Sequence, residues 1–394
     1  MINEKMKELG SNRSTIRELF EYGRKLRAEI GEENVFDFSL GNPSVEPPEA
    51  LTDELVSLIE RTDKTTLHGY TSAEGDLAVR EAIAESIRRE HGAECTPELI
   101  YMTAGAAAAL TSTIKALTQP GESVIVLAPY FPEYKVFIEA AGAICTPVLC
   151  RNGDFHPDTE AIAAAIDENT AAIIINSPNN PTGAVYGDED ITAIAKLLRA
   201  RSRKYGHPIY VIADEPYREL VYDGVSVPYI SNYYEDTVVC YSYSKSLSIP
   251  GERIGYAAVC PRAHDAVSVF SAICGAGRAL GFVCAPSLLQ RLVARLDGAT
   301  SDIKAYERNR NMLYDALTEY GYEAVKPDGA FYLFVKSPSG DGKELSLRAR
   351  RYGLLLVPSD DFGAPGYVRI AYCQSLDMIE RSLPKFKQLM EEYK

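Results

Sequence analysis

The sequence predicts an α/β protein with a mainly parallel sheet covered by helices on both faces, followed by a smaller second domain. Two observations predict this. Apolar runs of strand length recur between longer helical patterns, and past about residue 286 the alternation gives way to a long charged helix and short strands. Strands alternating with helices need crossover connections that pack on both faces of one sheet. A chain of 394 residues exceeds what one core usually supports. The expected division is a large domain over 46–286 and a smaller α+β domain from 1–45 together with 287–394, with "GNPSVEPPE" as the loop at the boundary.

In chain order, the strand-length runs of the large domain are "ELIYMTAG", "SVIVLAPY", "AAIIINSP", "IYVIADEP", "VVCYSYSK" and "IGYAAVC". Between the third and fourth, Asp188 to Tyr205 reads as a helix, because Ile191, Ile194, Ala195, Leu197 and Leu198 fall on one face. The later part reads as the helix "SDIKAYERNRNMLYDALTEYG", then strands "AFYLFV", "LLLVP" and "YVRIAYC", then a final helix.

Composition narrows the function. Hydrophobic residues at 46% and charged residues at 24% are ordinary for a chain with a large core. The net charge of −14 argues against nucleic acid as a partner, since phosphate backbones are held by clustered Lys and Arg. Eight cysteines include no C-x-x-C pair, and Cys240, Cys260 and Cys284 lie in apolar runs, so they read as reduced core thiols rather than disulfides or metal ligands. "MINEKMKELGSNRS" lacks an apolar signal region, and no apolar run approaches the roughly 20 residues of a spanning helix. The expectation is a soluble cytoplasmic protein with no membrane partner and no metal.

In open α/β sheets, ligands gather at the carboxyl ends of the strands. Here those ends carry Asn176 before "SPNNPTG", Asp214 and Glu215 before Tyr217, and Ser242, Ser244 and Lys245. Lys245 has two readings: a loop lysine reaching for water, or an amine nucleophile for a Schiff base, its proton loosened by desolvation and by Arg253 eight residues on. Ser242-x-x-Lys245 also fits the S-x-x-K of penicillin-binding serine enzymes, but their S-D-N and K-T-G elements are absent and Ser242 lies at a strand end.

Three motifs in order carry a family resemblance. "SYSKSLSIPGERIGY" resembles the S-x-S-K-x-x-x-x-x-G-x-R-x-G signature of class I/II pyridoxal-phosphate-dependent aminotransferases, "NSPNNPTG" their N-P-N-N-P-T-G loop, and "ADEPY" their D-E-x-Y element. The likeness extends from about Phe38 to Arg369. It implies the fold-type I PLP-transferase architecture with a seven-stranded sheet. It also implies transfer of an amino group between an L-amino acid and a 2-oxo acid, with 2-oxoglutarate as acceptor, on an aspartate aminotransferase-like scaffold. A C–S β-lyase or an amino-acid decarboxylase on the same scaffold is the alternative, since fold alone does not fix chemistry. A non-catalytic sensor of a transcription regulator suits the acidic balance poorly.

The resemblance assigns roles. Lys245 would hold pyridoxal 5'-phosphate covalently and carry the substrate proton, Asp214 would pair with the ring nitrogen, and Asn180 and Tyr217 would bond the ring's phenolic oxygen. Ser242, Ser244, Arg253 and the backbone N–H groups of Gly105, Ala106 and Ala107 in "MTAGAAAAL" would hold the phosphate. Tyr70, in "HGYTSAEG", would reach the phosphate of a neighbouring subunit, giving a homodimer with a shared active site. Phe131 would stack on the ring, with Tyr130 as competitor in a chain that has no tryptophan. Arg369 would clamp the substrate carboxylate, with Asn180, Gly41 and Asn42 beside it. Each has a plainer reading, as helix cap, turn residue, core aromatic or surface side chain.

One departure concerns the substrate. A lysine just inside the "GAxxAL" helix marks one prokaryotic subgroup of aspartate aminotransferases, and the matching position here is Ala107. Arg278, in "CGAGRALGF", read as a glycine-rich loop, is the candidate cation for a distal carboxylate.

Overall fold

The structure, a computed structural model, describes residues 2–11 and 15–394. Its strands in chain order are β1 Phe36–Asp37, β2 Ile100–Thr103, β3 Ser123–Ala128, β4 Ile144–Leu149, β5 Thr170–Asn176, β6 Tyr210–Asp214, β7 Thr237–Ser242 and β8 Gly255–Val259, then β9 Glu323–Ala324, β10 Tyr332–Lys336, β11 Leu354–Leu355, β12 Val357–Pro358 and β13 Tyr367–Ala371. A seven-stranded sheet has the order β2-β8-β7-β6-β5-β3-β4. From β7 through β4 every pairing is parallel, whereas β8 runs antiparallel to both β7 and β2.

Alternation along the strands divides the core. Ile125, Leu127, Ile173, Ile175 and Val211 pack with Val79 and Ile83 of the helix Leu77–His91 and with Ile191, Ile194 and Leu198 of Asp188–Tyr205. Their neighbours Val124, Val126, Ile174, Ile212 and Val238 pack with Leu110 and Ile114 of Gly105–Leu117 and with Val269 and Ile273 of Ala266–Ala279. Successive side chains of a strand point to opposite faces, so strands buried on both faces read as unbroken apolar runs.

A separate four-stranded antiparallel sheet, β12-β13-β10-β9, packs Leu333, Val335, Val368 and Ile370 with Leu313 of Ile303–Tyr320 and Phe386 of Leu376–Glu391. β1 pairs in parallel with β11, tying Phe36 to Leu354.

Four details depart from the sequence reading. β7 stops at Ser242, and Tyr243–Ser246 form one helical turn, so Lys245 is not on the strand; the Ser242 hydroxyl caps the turn by accepting from Ser244 N. "CGAGRALGF" is helical through Ala279 rather than a loop, because its glycines lie on a helix whose Ile273 and Ala276 are buried. β4 was not foreseen, since Pro147 interrupts it and most of its side chains are accessible, as an edge position allows. Cys284 is only half-buried, although all eight cysteines are free. No helix among the described residues is long and apolar enough to cross a membrane.

Candidate active site

A cavity of about 320 Å³ opens at the carboxyl ends of β5, β6 and β7. Asn176, the last residue of β5, organises its floor: its amide donates to the Asp214 carbonyl at 2.8 Å and its Oδ1 accepts from Asn180 N at 2.8 Å. The loop after β5 is thereby pinned to the end of β6, which sets Asn180 facing the cavity.

Asp214 is buried at the end of β6. Its Oδ2 accepts a hydrogen bond from the Tyr134 hydroxyl, while Oδ1 is buried with no partner among the described residues. Burial disfavours the charged carboxylate, only partly offset by Tyr134, and the pKa rises to about 7. A buried carboxylate oxygen left unpaired calls for a cationic or N–H partner.

Lys245 reaches the same cavity. Its Nζ donates to the Gly41 carbonyl at 2.6 Å and stands 5.2 Å from the centre of the Phe331 ring. Burial is the main cause of a pKa lowered to about 8, and the charges of Arg253 and Arg369 act in the same direction. An amine with such a pKa is still mostly protonated at pH 7 but keeps a neutral fraction of about one in ten, far more than an ordinary lysine, and the neutral form is the one that attacks a carbonyl.

At one end lies an anion cradle. Gly105 opens its helix at φ 78°, and a Cβ there would stand 2.8 Å from Arg253 Nη2, so the space is available only to glycine. Ala106, Ala107, Ser242, Ser244 and Arg253 line this end, where the first N–H groups of the helix are unpaired within it. Arg253 itself has φ 53° and donates from Nη1 to the Pro250 carbonyl at 2.9 Å.

At the other end is Arg369, in the middle of the smaller sheet and only 2% exposed, which removes the reading of a solvent-facing strand arginine. Nη1 donates to Asn180 Oδ1 at 3.1 Å and Nη2 to the Ser39 carbonyl at 2.6 Å, while Nε has no partner among the described residues. The guanidinium lies over Tyr332 at 4.6 Å and Phe362 at 5.1 Å, and Tyr332 shares a 2.9 Å hydrogen bond with the Tyr217 hydroxyl. Burial pushes the Tyr217 phenol well up, so it stays protonated and able to donate.

Gly41, Ala106, Ala107, Phe131, Asn180, Asp214, Tyr217, Ser242, Ser244, Lys245, Arg253 and Arg369 are thus gathered in one cavity. Phe131 lines it and Tyr130 does not. Four predicted residues do not line it within this chain: Gly105 lies behind Ala106 against Arg253, Asn42 and Arg278 are exposed, and Tyr70 is 94% exposed. Sequence reasoning passed over Tyr134, Phe137, Tyr332 and Ile16. Tyr134 and Phe137 are i, i+3 neighbours on the helix Glu133–Ala141, with Phe131 just before it and edge-on to Tyr134, and Tyr332 is the diagonal cross-strand neighbour of Arg369, which pairs with Phe334.

An amine, an unpaired buried carboxylate oxygen, an anion cradle and a buried guanidinium on aromatic rings together could hold a phosphorylated carbonyl compound at one end and a carboxylate at the other. The chain belongs to the class I and II aminotransferases: the model of that family matches residues 33–385. It is 33% identical over 327 residues to the probable aspartate/prephenate aminotransferase of Thermus aquaticus, spanning 82% of this chain and 84% of that one. An amino transferase from Eubacterium rectale superposes with a TM-score of 0.98 at 50% identity, covering 100% of this chain and 99% of the other. The aspartate aminotransferase of Thermus thermophilus with maleate gives a TM-score of 0.86 at 28% identity, covering 97% and 98%. The protein is an aminotransferase with the fold-type I architecture of these neighbours.

Proposed function

We propose that this aminotransferase carries pyridoxal 5'-phosphate on Lys245 and moves an amino group from an L-amino acid to a 2-oxo acid, with 2-oxoglutarate as acceptor. One observation carries the reading: the Lys245 amine and the unpaired Asp214 Oδ1 share a cavity whose ends are an anion cradle and Arg369. The residues fit the cofactor, with Asp214 for the ring nitrogen, Asn180 and Tyr217 for the phenolic oxygen, Phe131 for the ring face, and Gly105, Ala106, Ala107, Ser242, Ser244 and Arg253 for the phosphate. When bound, the cofactor supplies an electrophilic carbonyl and a ring that accepts electron density from the substrate Cα.

The chain's own residues do the rest. Arg369 fixes the substrate carboxylate by a two-pronged bond, with Asn180 and the Gly41 backbone beside it. The Lys245 amine would act at the substrate Cα, as the base that takes its proton and the acid that returns it. Phe131, Phe137 and Ile16 wall the cavity with apolar surface and limit water. Asp214 would hold the ring nitrogen through its unpaired Oδ1, and a cationic partner there would offset the desolvation of the buried carboxylate and keep it ionised.

The reading includes a homodimer in which Tyr70 and Arg278, both exposed here, serve the neighbouring subunit's site, and Arg278 meets the distal carboxylate of a dicarboxylic substrate. It also includes the two-domain division at about residues 46 and 286 and a cytoplasmic location. Aspartate is the first donor to try, given the names of the relatives. The test is the visible spectrum of the purified protein with aspartate, glutamate, alanine or an aromatic amino acid, each without oxo acid. Conversion of the lysine-bound absorption band to the aminated form by one donor supports the reading. Absence of any band after adding pyridoxal phosphate refutes it, and release of pyruvate with ammonia indicates a lyase.

A further inference from the structure

Tyr241 precedes Ser242 on β7, so its side chain leaves the opposite face of the sheet. It enters a second cavity, of about 300 Å³, bounded by the helix Leu77–His91 and by residues 293–300. The Tyr241 hydroxyl donates to Glu219 Oε1 at 2.8 Å and lies 2.9 Å from the Ser246 hydroxyl, next to Lys245. Glu219 Oε2 is buried with no hydrogen-bond partner among the described residues.

The nearby cation has an ion-pair partner, although its Nη2 makes no hydrogen bond among the described residues. Arg218 is ion-paired with Glu215 and lies between the rings of Tyr229 and Tyr241, 4.8 and 5.0 Å from their centres. Burial and the Arg218 charge draw the His91 pKa down to about 4, so His91 is neutral. The buried cluster therefore sets two acids, Glu215 and Glu219, each with its pKa raised by burial and partly drawn back by Arg218, against one guanidinium, so a second cation would favour their charged forms. Glu90 and Asp297 line the cavity too, both bound to the exposed Arg89. An anionic occupant is disfavoured by this arrangement.

The rings are the second half of the argument. Tyr241, Tyr243 and Tyr256 line the cavity, with Tyr241 stacked on Tyr256 at 5.1 Å and meeting Tyr243 edge-on at 5.0 Å. A carboxylate oxygen without a donor, placed among aromatic rings in a space of ligand size, matches an alkylated ammonium ion. We propose that this cavity binds a small organic ammonium ion, its N–H on Glu219 Oε2 and its alkyl groups against the three tyrosine rings. Tyr243 and Ser246 belong to the same helical turn as Lys245, so the occupant sits directly behind the catalytic lysine.

The experiment is calorimetric titration of the holoenzyme with trimethylammonium chloride, with sodium chloride at equal ionic strength as the blank. Trimethylammonium keeps one N–H yet cannot condense with a carbonyl, so it does not report on the Lys245 site. Saturable binding is expected, weakened about tenfold or more in Glu219→Gln. Ser86→Phe, which fills the cavity from its helix wall while leaving Glu219 in place, should abolish it; an unchanged cofactor spectrum shows that each variant is folded. Arg369→Gln should bind as the wild type does. No saturable binding to the wild type, or equal binding by Glu219→Gln and Ser86→Phe, overturns the proposal.

Discussion

Replacing Asp214 by Asn should stabilise the cofactor-free protein while disabling the reaction. The Asp214 pKa is about 7 in the folded chain against an ordinary 3.8, with burial as the main cause. Between those values the native state keeps a proton that the unfolded chain has released, so this group makes stability fall as pH rises from about 4 to about 7 and level off above. A gap of about three pH units at ~1.4 kcal/mol each amounts to about 4 kcal/mol. Asn has the same shape and never ionises. Urea denaturation of both cofactor-free proteins should therefore give similar midpoints near pH 4 and a difference that widens by ~1.4 kcal/mol per unit to about 4 kcal/mol at pH 8. Lys245 titrates in both proteins, so its contribution cancels in the difference. With cofactor bound, the ring nitrogen compensates the wild-type carboxylate and the advantage of Asn should shrink, while turnover falls by several powers of ten. Parallel stability curves across this range would refute the argument, because they would mean that the carboxylate pays no desolvation cost.

Other expectations follow from the same geometry. In the cofactor-free protein the Lys245 amine should react with an acylating reagent along a titration curve centred near pH 8, and a midpoint near the ordinary 10.5 would count against its burial. Arg369→Gln removes a buried charge that also holds Asn180 and the Ser39 carbonyl, and kcat/KM should fall roughly 100-fold or more, seen chiefly in KM for the amino acid. Gly105→Ala forces a Cβ to 2.8 Å from Arg253 at a φ of 78°, so cofactor affinity by spectral titration should drop roughly tenfold and stability by about 1–2 kcal/mol. Arg278→Ala should raise KM for dicarboxylic substrates selectively; equal losses with alanine and aspartate would remove Arg278 from the substrate site.

The sequence shows where strands end better than what meets across them. Lys245, Asp214 and Asn180 could be picked out because each is polar beside a run too apolar to be anything but core, as with Ile173 to Ile175 before Asn176. Arg369 stood out for the same reason. Tyr134 and Tyr332 did not, since an aromatic residue in an apolar segment looks like ordinary packing, and only tertiary contact shows the hydroxyl on Asp214 or on Tyr217. The helical turn holding Lys245 was hidden because "YSYSKS" continues the strand pattern, and the turn is set by the Ser242 cap and the reversal into β8. Glu219 and Arg218 fell next to the recognised "ADEPY" element, yet nothing local says that Tyr241, more than twenty positions on, turns its hydroxyl toward Glu219.

The bond from Arg369 to the Ser39 carbonyl spans 330 positions, and β1 finds its partner only at Leu354 and Leu355. The lysine turn, the anion cradle and the Asp214 carboxylate all precede β11 and β13 in the chain and are carried by the seven-stranded sheet. The Arg369 end of the cavity is therefore assembled only where the last strands close against the first, so loosening that closure would open this end while leaving the sheet that carries Asp214 intact.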